Sequence, residues 1–410
     1  MNFEKISQPV AGMKDLFRDI GGTYLGTATV AFLFSATGPT AIIISVGLGG
    51  GLTQAEIGSW LFAGCVFSGI ITIGFSLAYR QPLSFAWTIP GTVLLASAFN
   101  HLSFAEIIGA YWATALLLTV IGVSGGVGKA MRYVPMPVVL AMVAGIFLQF
   151  GLDLVLAFES ELLLSAVMVL AYLGTILVPG LSARVPPVVM TLIAGIVVVL
   201  MTGNFTTDQE MVQWIAFPAF QMPQFNQQSI FELVVPLAVT VLVAQNAQGI
   251  AVLISGGHKP PVNNMTLACG LGSGLCALFG AVSMCVTGPS NAVLVSAGKQ
   301  QRQYTAGVIF GVMNILFGIM AFAATWLILK LPPEFIAVLA GLALLPVLLR
   351  AFVVAFSSKF QMSALITLLV TVSDISIWNI GAPFWGLVIG MGVAILIDRE
   401  DWREHMAQDR

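Results

Sequence analysis

Charged residues are scarce in this chain of 410 residues: Asp, Glu, Lys and Arg together make up 8% of it, whereas a soluble domain usually carries about 25%. Hydrophobic residues make up 58%, and the mean hydropathy is +0.98. Apolar runs of roughly 17 to 25 residues follow one another from about residue 23 to 397, which leaves no room for a soluble domain. The composition predicts an all-α polytopic membrane protein whose function lies within the membrane.

Cysteine and histidine are also rare, with four Cys and three His in the chain. The cysteines fall in apolar runs without CxxC spacing or a clustered histidine, so we expect buried side chains rather than a disulfide framework or a metal site. They are Cys65, Cys269, Cys276 and Cys285. The histidines fall in predicted loops or the tail, where we expect them to be solvated. They are His101, His258 and His405.

Catalytic motifs are missing as well. The sequence has no HExxH motif, no pair of carboxylates within an apolar run and no arrangement of nucleophile and base. A membrane-embedded enzyme is therefore disfavoured, and we expect no cofactor, no metal and no nucleic-acid partner.

Fourteen spans are predicted, two of them shorter than the rest. Their bounds are 23–46, 56–78, 85–99, 104–124, 134–152, 161–179, 186–202, 230–254, 262–281, 284–297, 305–329, 334–353, 361–377 and 382–397. With the N-terminus in the cytoplasm, all of the 16 Lys and Arg residues except Lys330 fall in cytoplasmic segments, as the positive-inside rule requires. The alternation supports both the count and the orientation.

These spans divide the chain into a cytoplasmic lead-in (1–22), a first group of seven spans (23–202), an outer loop (203–229), a second group of seven (230–397) and a cytoplasmic tail (398–410).

Acidic residues collect at or near the outer ends of the predicted spans. Such a rim would slow anions and enrich protons within about 10 Å; the alternative is that these residues are ordinary solvated helix ends. Glu106, Glu232 and Asp374 are candidates for gating protons from outside. The full set is Glu56, Glu106, Asp153, Glu159, Glu161, Asp208, Glu210, Glu232, Glu334 and Asp374.

An internal repeat relates the two halves. SFAWTIPGTVLLAS (84–97) is similar to SMCVTGPSNAVLVS (283–296), and TVAFLFSATG (29–38) is similar to TVLVAQNAQG (240–249). A third pair is PMPVVLAMVAG (135–145) with LPPEFIAVLAG (331–341). The three offsets are each about 200 residues, which indicates one repeat of seven spans. Because seven is odd, the halves are inverted in the membrane; two unrelated helix kinks are the alternative.

The first pair interrupts spans three and ten with Pro and Gly. We expect each span to begin as an extended segment and to continue as a half-helix from near Pro90 or Pro289. The N-termini of the two half-helices would then meet near the bilayer midplane from opposite sides, with free N–H groups and partial positive charge. That arrangement suits an anion. The candidate ligands are Thr88, Gly91, Thr92, Thr287, Ser290 and Asn291; capping alone would equally explain the two threonines Thr88 and Thr287.

Spans one and eight add polar residues of their own. Gln245 and Asn246 are adjacent amides in an apolar helix, which are costly to bury unpaired, so at least one is expected to meet a ligand or the opposing broken segment. Ser35 is a further candidate, although a serine in a membrane helix often bonds its own backbone. No Asp, Glu, His, Lys or Arg lies in the middle of spans one, three, eight or ten, so the residue that would carry a coupled proton stays unidentified.

Four fragments occur in a characteristic order. They are FSATGPTAI (34–42), YRQPL followed by AWTIPG (79–91), AQNAQGIAVL (244–253) with PP (260–261), and TGP (287–289). In combination they resemble the bacterial benzoate:proton symporter family of the BenE type, over nearly the whole chain.

The resemblance implies the wider fold of uracil permeases and sulfate-permease-type anion transporters. Spans one to four and eight to eleven would form a core domain, the others a gate domain, and alternating access would move one against the other. It further implies proton-coupled symport of benzoate or a similar aromatic carboxylate across the bacterial inner membrane, and a possible homodimer. The chain departs from the nucleobase branch in span eight, where an acidic residue would be expected and where this sequence has Ala244, Gln245 and Asn246. A nucleobase permease and a passive anion channel or exchanger of the same fold are the alternatives.

Overall fold

The computed structural model describes residues 4–6, 9–127, 133–178, 180–181, 185–203, 217–357, 359–373, 375, 377 and 380–407. Seven charged residues used in the predicted orientation and acidic rim lie outside this part of the chain. They are Lys129, Arg132, Arg184, Asp208, Glu210, Asp374 and Arg410.

The first half of the chain is helical apart from one short strand. Its elements are α1 (Met13–Asp19), α2 (Gly22–Gly49), α3 (Gln54–Tyr79), β1 (Phe85–Trp87), α4 (Ile89–Ala98), α5 (Phe104–Ser124), α6 (Met136–Ser160), α7 (Leu162–Leu177) and α8 (Pro187–Thr202).

The second half follows the same pattern. Its elements are α9 (Gln227–Val239), a π-helical segment (Thr240–Asn246), α10 (Ala247–Ser255), α11 (Val262–Ala277), β2 (Met284–Val286), α12 (Gly288–Leu294), a 3₁₀ turn (Gln300–Arg302), α13 (Tyr304–Ile319), α14 (Ala321–Leu329), α15 (Pro333–Ala355), α16 (Gln361–Val372), α17 (Ala382–Leu396) and α18 (Arg399–Ala407).

The breaks predicted in spans three and ten are confirmed. Each segment begins with a three-residue strand and continues as a helix, α4 after β1 and α12 after β2. Pro stands in the first turn of both helices, where its missing N–H costs no hydrogen bond.

Six helices among the described residues are long and apolar enough to cross a membrane, or eight if each of two bent pairs counts as one span. One of the six runs unbroken from Gln227 to Ser255 because the π-helical segment joins α9 to α10. The remaining predicted spans correspond to shorter helices, such as α7 with 16 residues and α16 with 12. The protein is thus a helical membrane protein with at least six spans, and the count of fourteen stays a prediction.

The helices pack as two groups. The first helix group comprises α2–α5 and α9–α14, and the second comprises α6–α8 and α15–α17. The most extensive contacts join α3 to α13 and α5 to α11 within the first group, and α6 to α15 within the second. Between the groups, α2 packs against α15 and α8, and α9 packs against α17.

Glycines allow the closest helix contacts. A Cβ atom built on Gly69 of α3 would lie 2.6 Å from the carbonyl oxygen of Gly311 of α13, and one on Gly311 would lie 2.8 Å from the carbonyl oxygen of Gly69. Small residues let the backbones of membrane helices come into contact. Because the hydrophobic effect does not drive helices together within lipid, the dispersion energy of this close packing stabilises their association.

We predict that Gly69→Ala destabilises the protein by about 1–3 kcal/mol, because the added methyl group forces two packed backbones apart. Gly74→Ala on the same helix is the matched control, since nothing lies within 4 Å of a Cβ atom there; it should be neutral or slightly stabilising. Thermal unfolding of the detergent-purified variants tests this. Equal midpoints for the two variants would contradict the packing argument.

Candidate substrate site

The two broken segments meet in a two-stranded antiparallel sheet, in which each residue of β1 pairs with one of β2. The ladder extends beyond the strands: the N–H of Thr88 donates to the carbonyl oxygen of Ser283 at 3.0 Å, and that of Thr287 to Ser84 at 3.2 Å. The backbone of one break therefore satisfies the backbone of the other, in a region where water cannot do so.

Hydroxyl groups from neighbouring helices satisfy the next backbone donors. The N–H of Phe85 donates to Thr72 Oγ1 of α3 at 2.9 Å, and the N–H of Met284 donates to Ser273 Oγ of α11 at 2.8 Å. The two contacts are equivalent in the two halves of the chain.

Two buried asparagines brace the same sheet. Asn246 Oδ1 accepts from the N–H of Val286 at 2.7 Å. Asn291 Oδ1 accepts from the N–H of Ser84 at 3.0 Å, and its Nδ2 donates to the carbonyl oxygen of Thr287 at 2.7 Å. Both side chains are fully buried, and these polar atoms are occupied within the protein.

The two predicted threonines cap the half-helices. Thr88 Oγ1 accepts from the N–H of Gly91 at 3.1 Å, and Thr287 Oγ1 accepts from the N–H of Ser290 at 3.2 Å. Each cap satisfies one of the donors that the start of a helix leaves without an intrahelical partner. Of the two roles considered for these threonines, helix capping and ligand binding, the structure shows capping.

The expectation that the N–H groups at the start of the two half-helices stay free for a ligand is wrong for four of them. The caps take the N–H groups of Gly91 and Ser290. The N–H groups of Thr92 and Asn291 donate to the carbonyl oxygens of Thr88 and Thr287, at 2.9 and 3.4 Å. The caps fix the geometry of the first helical turn, and this places the carbonyl oxygens of Thr88 and Thr287 within hydrogen-bond distance of these N–H groups. The N–H groups of the first helical residues, Ile89 and Gly288, are the ones left without an intrahelical acceptor.

A small pocket lies where the two half-helices begin, and we call it the central pocket. Its cavity volume is about 20 Å³, room for about one water molecule. It is lined by Phe34, Ser35, Pro39, Ala86, Trp87, Ile89, Gln245, Thr287, Pro289 and Ser290. No Asp, Glu, His, Lys or Arg is among these lining residues.

The central pocket brings four of the nine predicted site residues together. Ser35 comes from α2, Gln245 from the π-helical segment, and Thr287 and Ser290 from the start of α12. A π-helical turn adds one residue to the helical repeat and is frequent at functional sites; here it places Gln245 at the pocket and Asn246 at the sheet.

The other five predicted residues do not line this pocket. Asn246 and Asn291 brace the sheet. Thr88 Oγ1 lies 3.3 Å from Thr240 Oγ1, and a Cβ atom on Gly91 would lie 3.1 Å from Leu237. Thr92 Oγ1 donates to the carbonyl oxygen of Thr88, the N-cap of α4. These three therefore face α9 and its π-helical continuation, or their own helix.

Two aromatic residues outside the predicted set of site residues also line this pocket. Phe34 and Trp87 contribute apolar faces, and Trp87 Nε1 is buried with no hydrogen-bond partner among the described residues. Their place within the repeated fragments was the available sequence signal. Phe32, by contrast, stacks edge-on against Phe317.

A larger opening lies between the two helix groups, and we call it the outer crevice because it lies on the side that the Lys and Arg distribution predicts to face outward. Its volume is about 300 Å³, near the lower end for ligand pockets. The first group contributes Val93, Ala96, Ser97 and Asn100, and the second contributes Gly145, Ile146, Leu148, Gln149, Phe150, Leu152, Thr371, Val372 and Pro383.

Two of the three histidines are not solvated as expected. His101 Nε2 lies 2.8 Å from Glu232 Oε2, and the side chain of His101 is 19% exposed. His258 is buried, with Nε2 2.7 Å from Gln303 Oε1, and burial lowers the pKa of its imidazole. A sequence window could not show either pairing, because the partners are distant in the chain.

Solved structures share this fold. The transmembrane domain of the cyanobacterial bicarbonate transporter BicA matches with a TM-score of 0.61 at 14% identity, covering 92% of this chain and 98% of that one. The structure of SLC26A9 matches with a TM-score of 0.63 at 14% identity, covering 98% of this chain and 67% of that one. The murine Slc26a9 anion transporter in its inward-facing state gives 0.59 at 12% identity, covering 96% and 73%. These matches show that the chain shares the helix arrangement of those structures.

Sequence comparison narrows the class. Residues 19–396 match the family model of the benzoate membrane transport protein, BenE. The inner membrane protein YdcO of Escherichia coli K12 is 30% identical over 373 residues, 90% of this chain and 94% of that protein. The benzoate membrane transport protein of Acinetobacter baylyi is 30% identical over 371 residues, 88% and 92% of the two chains. The chain belongs to the benzoate membrane transport protein family.

Asn291 offers a test of bracing. Asn291→Ala would leave the buried N–H of Ser84 without its acceptor, so we predict a loss of stability of about 1–3 kcal/mol. The matched control is Asn314→Ala, because Asn314 is also buried but donates only to the Phe310 carbonyl of its own helix. Thermal unfolding in detergent checks this, and an equal loss in both variants would contradict the bracing role.

Proposed function

We propose that this protein is a secondary transporter that carries benzoate or a similar aromatic carboxylate together with a proton by alternating access. The observation that carries the proposal is the central pocket, which combines aromatic faces with uncharged polar groups and has no acidic side chain in its lining. Membership of the benzoate membrane transport protein family, and a 30% identical relative that bears that name, support the same substrate class.

The pocket offers different surfaces to the two ends of such a substrate. The hydroxyl of Ser290 and the amide of Gln245 suit a carboxylate. The N-terminus of the ten-residue helix α4 adds partial positive charge. The faces of Phe34 and Trp87 suit a planar apolar ring.

The same lining disfavours a nucleobase. Recognition of a neutral base with several N–H groups favours a fixed acceptor such as a carboxylate, and Gln245 is uncharged. An added negative charge at this place would instead repel a carboxylate substrate.

Alternating access follows from the size of the cavity. A volume of about 20 Å³ is too small for an aromatic carboxylate, so the pocket has to open for the substrate to enter or leave. We propose that the first helix group moves as the core domain against the second as the gate domain, along their contacts between α2, α8 and α15.

The packing also supports the proposed fourteen-span inverted repeat. A two-fold relation between the halves would exchange the pair α3 and α13 with the pair α11 and α5, and would pair β1 with β2. Both helix pairs are among the most extensive helix contacts in the structure, and β1 does pair with β2. The cytoplasmic placement of both termini in the inner membrane follows from the Lys and Arg distribution, and a homodimer stays a prediction that mass measurement of the purified protein would test.

We expect purified protein in liposomes to accumulate labelled benzoate above equilibrium when an inward proton gradient is imposed and the membrane potential is clamped. Protein-free liposomes correct for passive entry of neutral benzoic acid. Uptake that needs no proton gradient would favour a passive channel or exchanger, and inhibition by uracil but not by unlabelled benzoate would favour a nucleobase permease.

We predict that Ser290→Asp weakens benzoate binding at least tenfold. Two like charges about 4 Å apart repel by about 4 kcal/mol at an effective dielectric constant of 20, and 1.4 kcal/mol is already tenfold. Ser296→Asp is the matched control, because Ser296 is exposed and lies beyond the end of α12. Ligand-induced thermal stabilisation measures both; unchanged benzoate affinity in Ser290→Asp would contradict the proposed site.

A further inference from the structure

We propose that Glu232 and His101 form the proton-binding site of the transporter and that the charge state of this pair controls closure of the outer crevice. The inference rests on the proposed function, because it names the residues that bind the coupled proton.

The pair joins three separate segments. Glu232 lies on α9 and is 4% exposed. Its Oε2 lies 2.8 Å from Nε2 of His101, in the turn that follows α4, and its Oε1 accepts from the N–H of Gly381 at 3.1 Å. Gly381 is the N-cap of α17. Glu232 and His101 belong to the first helix group, whereas Gly381 starts a helix of the second, so the carboxylate bridges the two groups.

This geometry responds to a proton. With neutral His101 the pair carries one negative charge, which the N–H of Gly381 and the N-terminal dipole of α17 stabilise. One added proton makes the pair neutral overall and gives the carboxylate a cationic partner on the His101 side, which weakens its attraction to α17. A neutral pair is also cheaper to move through a low-dielectric region than a net charge.

Few other titratable groups surround the pair. Helix α5 carries Glu106, whose carboxylate is close enough to His101 to interact electrostatically and accepts from the N–H of Ser103, and it also carries Tyr111. Helix α4, the π-helical segment and α17 carry no titratable side chain. Residue 374, an aspartate, is outside the described part of the chain. Within that part, the titratable side chains in direct contact beside the start of α17 are Glu232 of α9 and His101 of the turn after α4.

The pair lies at the edge of the outer crevice. A Cβ atom on Gly381 would lie 2.8 Å from Glu232 Oε1 and 3.7 Å from Ser97 Oγ, and Ser97 and Pro383 both line the crevice. Release of Gly381 from Glu232 would therefore free the start of α17 from the first helix group at this edge.

Helix α4 connects the proton site to the substrate site. Its first residue, Ile89, lines the central pocket, and its last residue, Ala98, accepts from the N–H of His101 at 3.2 Å. A helix of ten residues spans about 15 Å. Movement of this rigid element at one end therefore changes the surroundings of the other, which is what coupling of proton and substrate requires.

Labelling of a crevice cysteine tests the proposal without benzoate. Ala96 lines the crevice and is exposed, and all four native cysteines are buried. In Ala96→Cys, we expect the rate of reaction with an impermeant maleimide to rise at pH 5.5 relative to pH 7.5, after division by the same ratio for the free thiol glutathione. That division removes the pH dependence of the thiol itself.

Glu232→Gln keeps the size of the side chain and an acceptor for Gly381, so we expect loss of the pH response. His101→Gln should lose it too, and provides a second variant if Glu232→Gln does not fold. Glu56→Gln is the matched control: Glu56 caps α3 in the same way that Glu106 caps α5 but takes no part in the pair, so its pH response should equal that of the wild type. An unchanged response in Glu232→Gln or His101→Gln, or no response in the parent, would overturn the proposal.

Transport separates this inference from the proposed function. In Glu232→Gln we expect benzoate exchange across the membrane to persist while accumulation driven by a proton gradient is lost. Gradient-driven accumulation at the wild-type level in this variant would overturn the proton site. Failure of the wild type itself to accumulate benzoate would instead count against the proposed function.

Discussion

The constraint on which the rest of this structure depends is that a backbone without regular helix, placed inside a membrane, needs a hydrogen-bond partner for every polar group. In the described part of the chain, β1 and β2 are two such stretches, and each supplies the partner of the other. Thr72, Ser273, Asn246 and Asn291 satisfy donors that the short ladder leaves over. Because the sheet fixes where both half-helices begin, the central pocket owes its position to this pairing.

This arrangement divides the polar residues of the membrane interior into two kinds. Some hold the two broken segments in place with their hydrogen-bonding atoms; Asn291 is an example. Others, such as Gln245 and Ser290, face a small cavity. Since the pocket lining contains none of Asp, Glu, His, Lys or Arg, the proposed anionic substrate would meet only uncharged groups and backbone dipoles there, which would allow it to leave again.

Helix α4 links the two sites of the proposed transport cycle, the substrate site and the proton site. It starts at the central pocket, ends beside His101, and forms one wall of the outer crevice. Its neighbour α9 carries Glu232, and α17 approaches that carboxylate from the second helix group. Related folds at 14% identity or less show that the arrangement of helices tolerates replacement of most side chains, which leaves chemistry at the two breaks free to differ among transporters.

The sequence by itself determined the membrane setting, the two breaks and the repeat that relates them, because hydrophobic length and the positions of Pro and Gly are local properties of the chain. Four of the residues it predicted for the site, Ser35, Gln245, Thr287 and Ser290, line one pocket in the structure. Only the tertiary structure decided that Asn246 and Asn291 brace the sheet, that Phe34 and Trp87 line the pocket, and that Glu232 meets His101. Those outcomes depend on which residues distant in the chain lie within hydrogen-bond distance, and a hydrogen-bonding side chain looks the same in a sequence whether its partner is a backbone or a ligand.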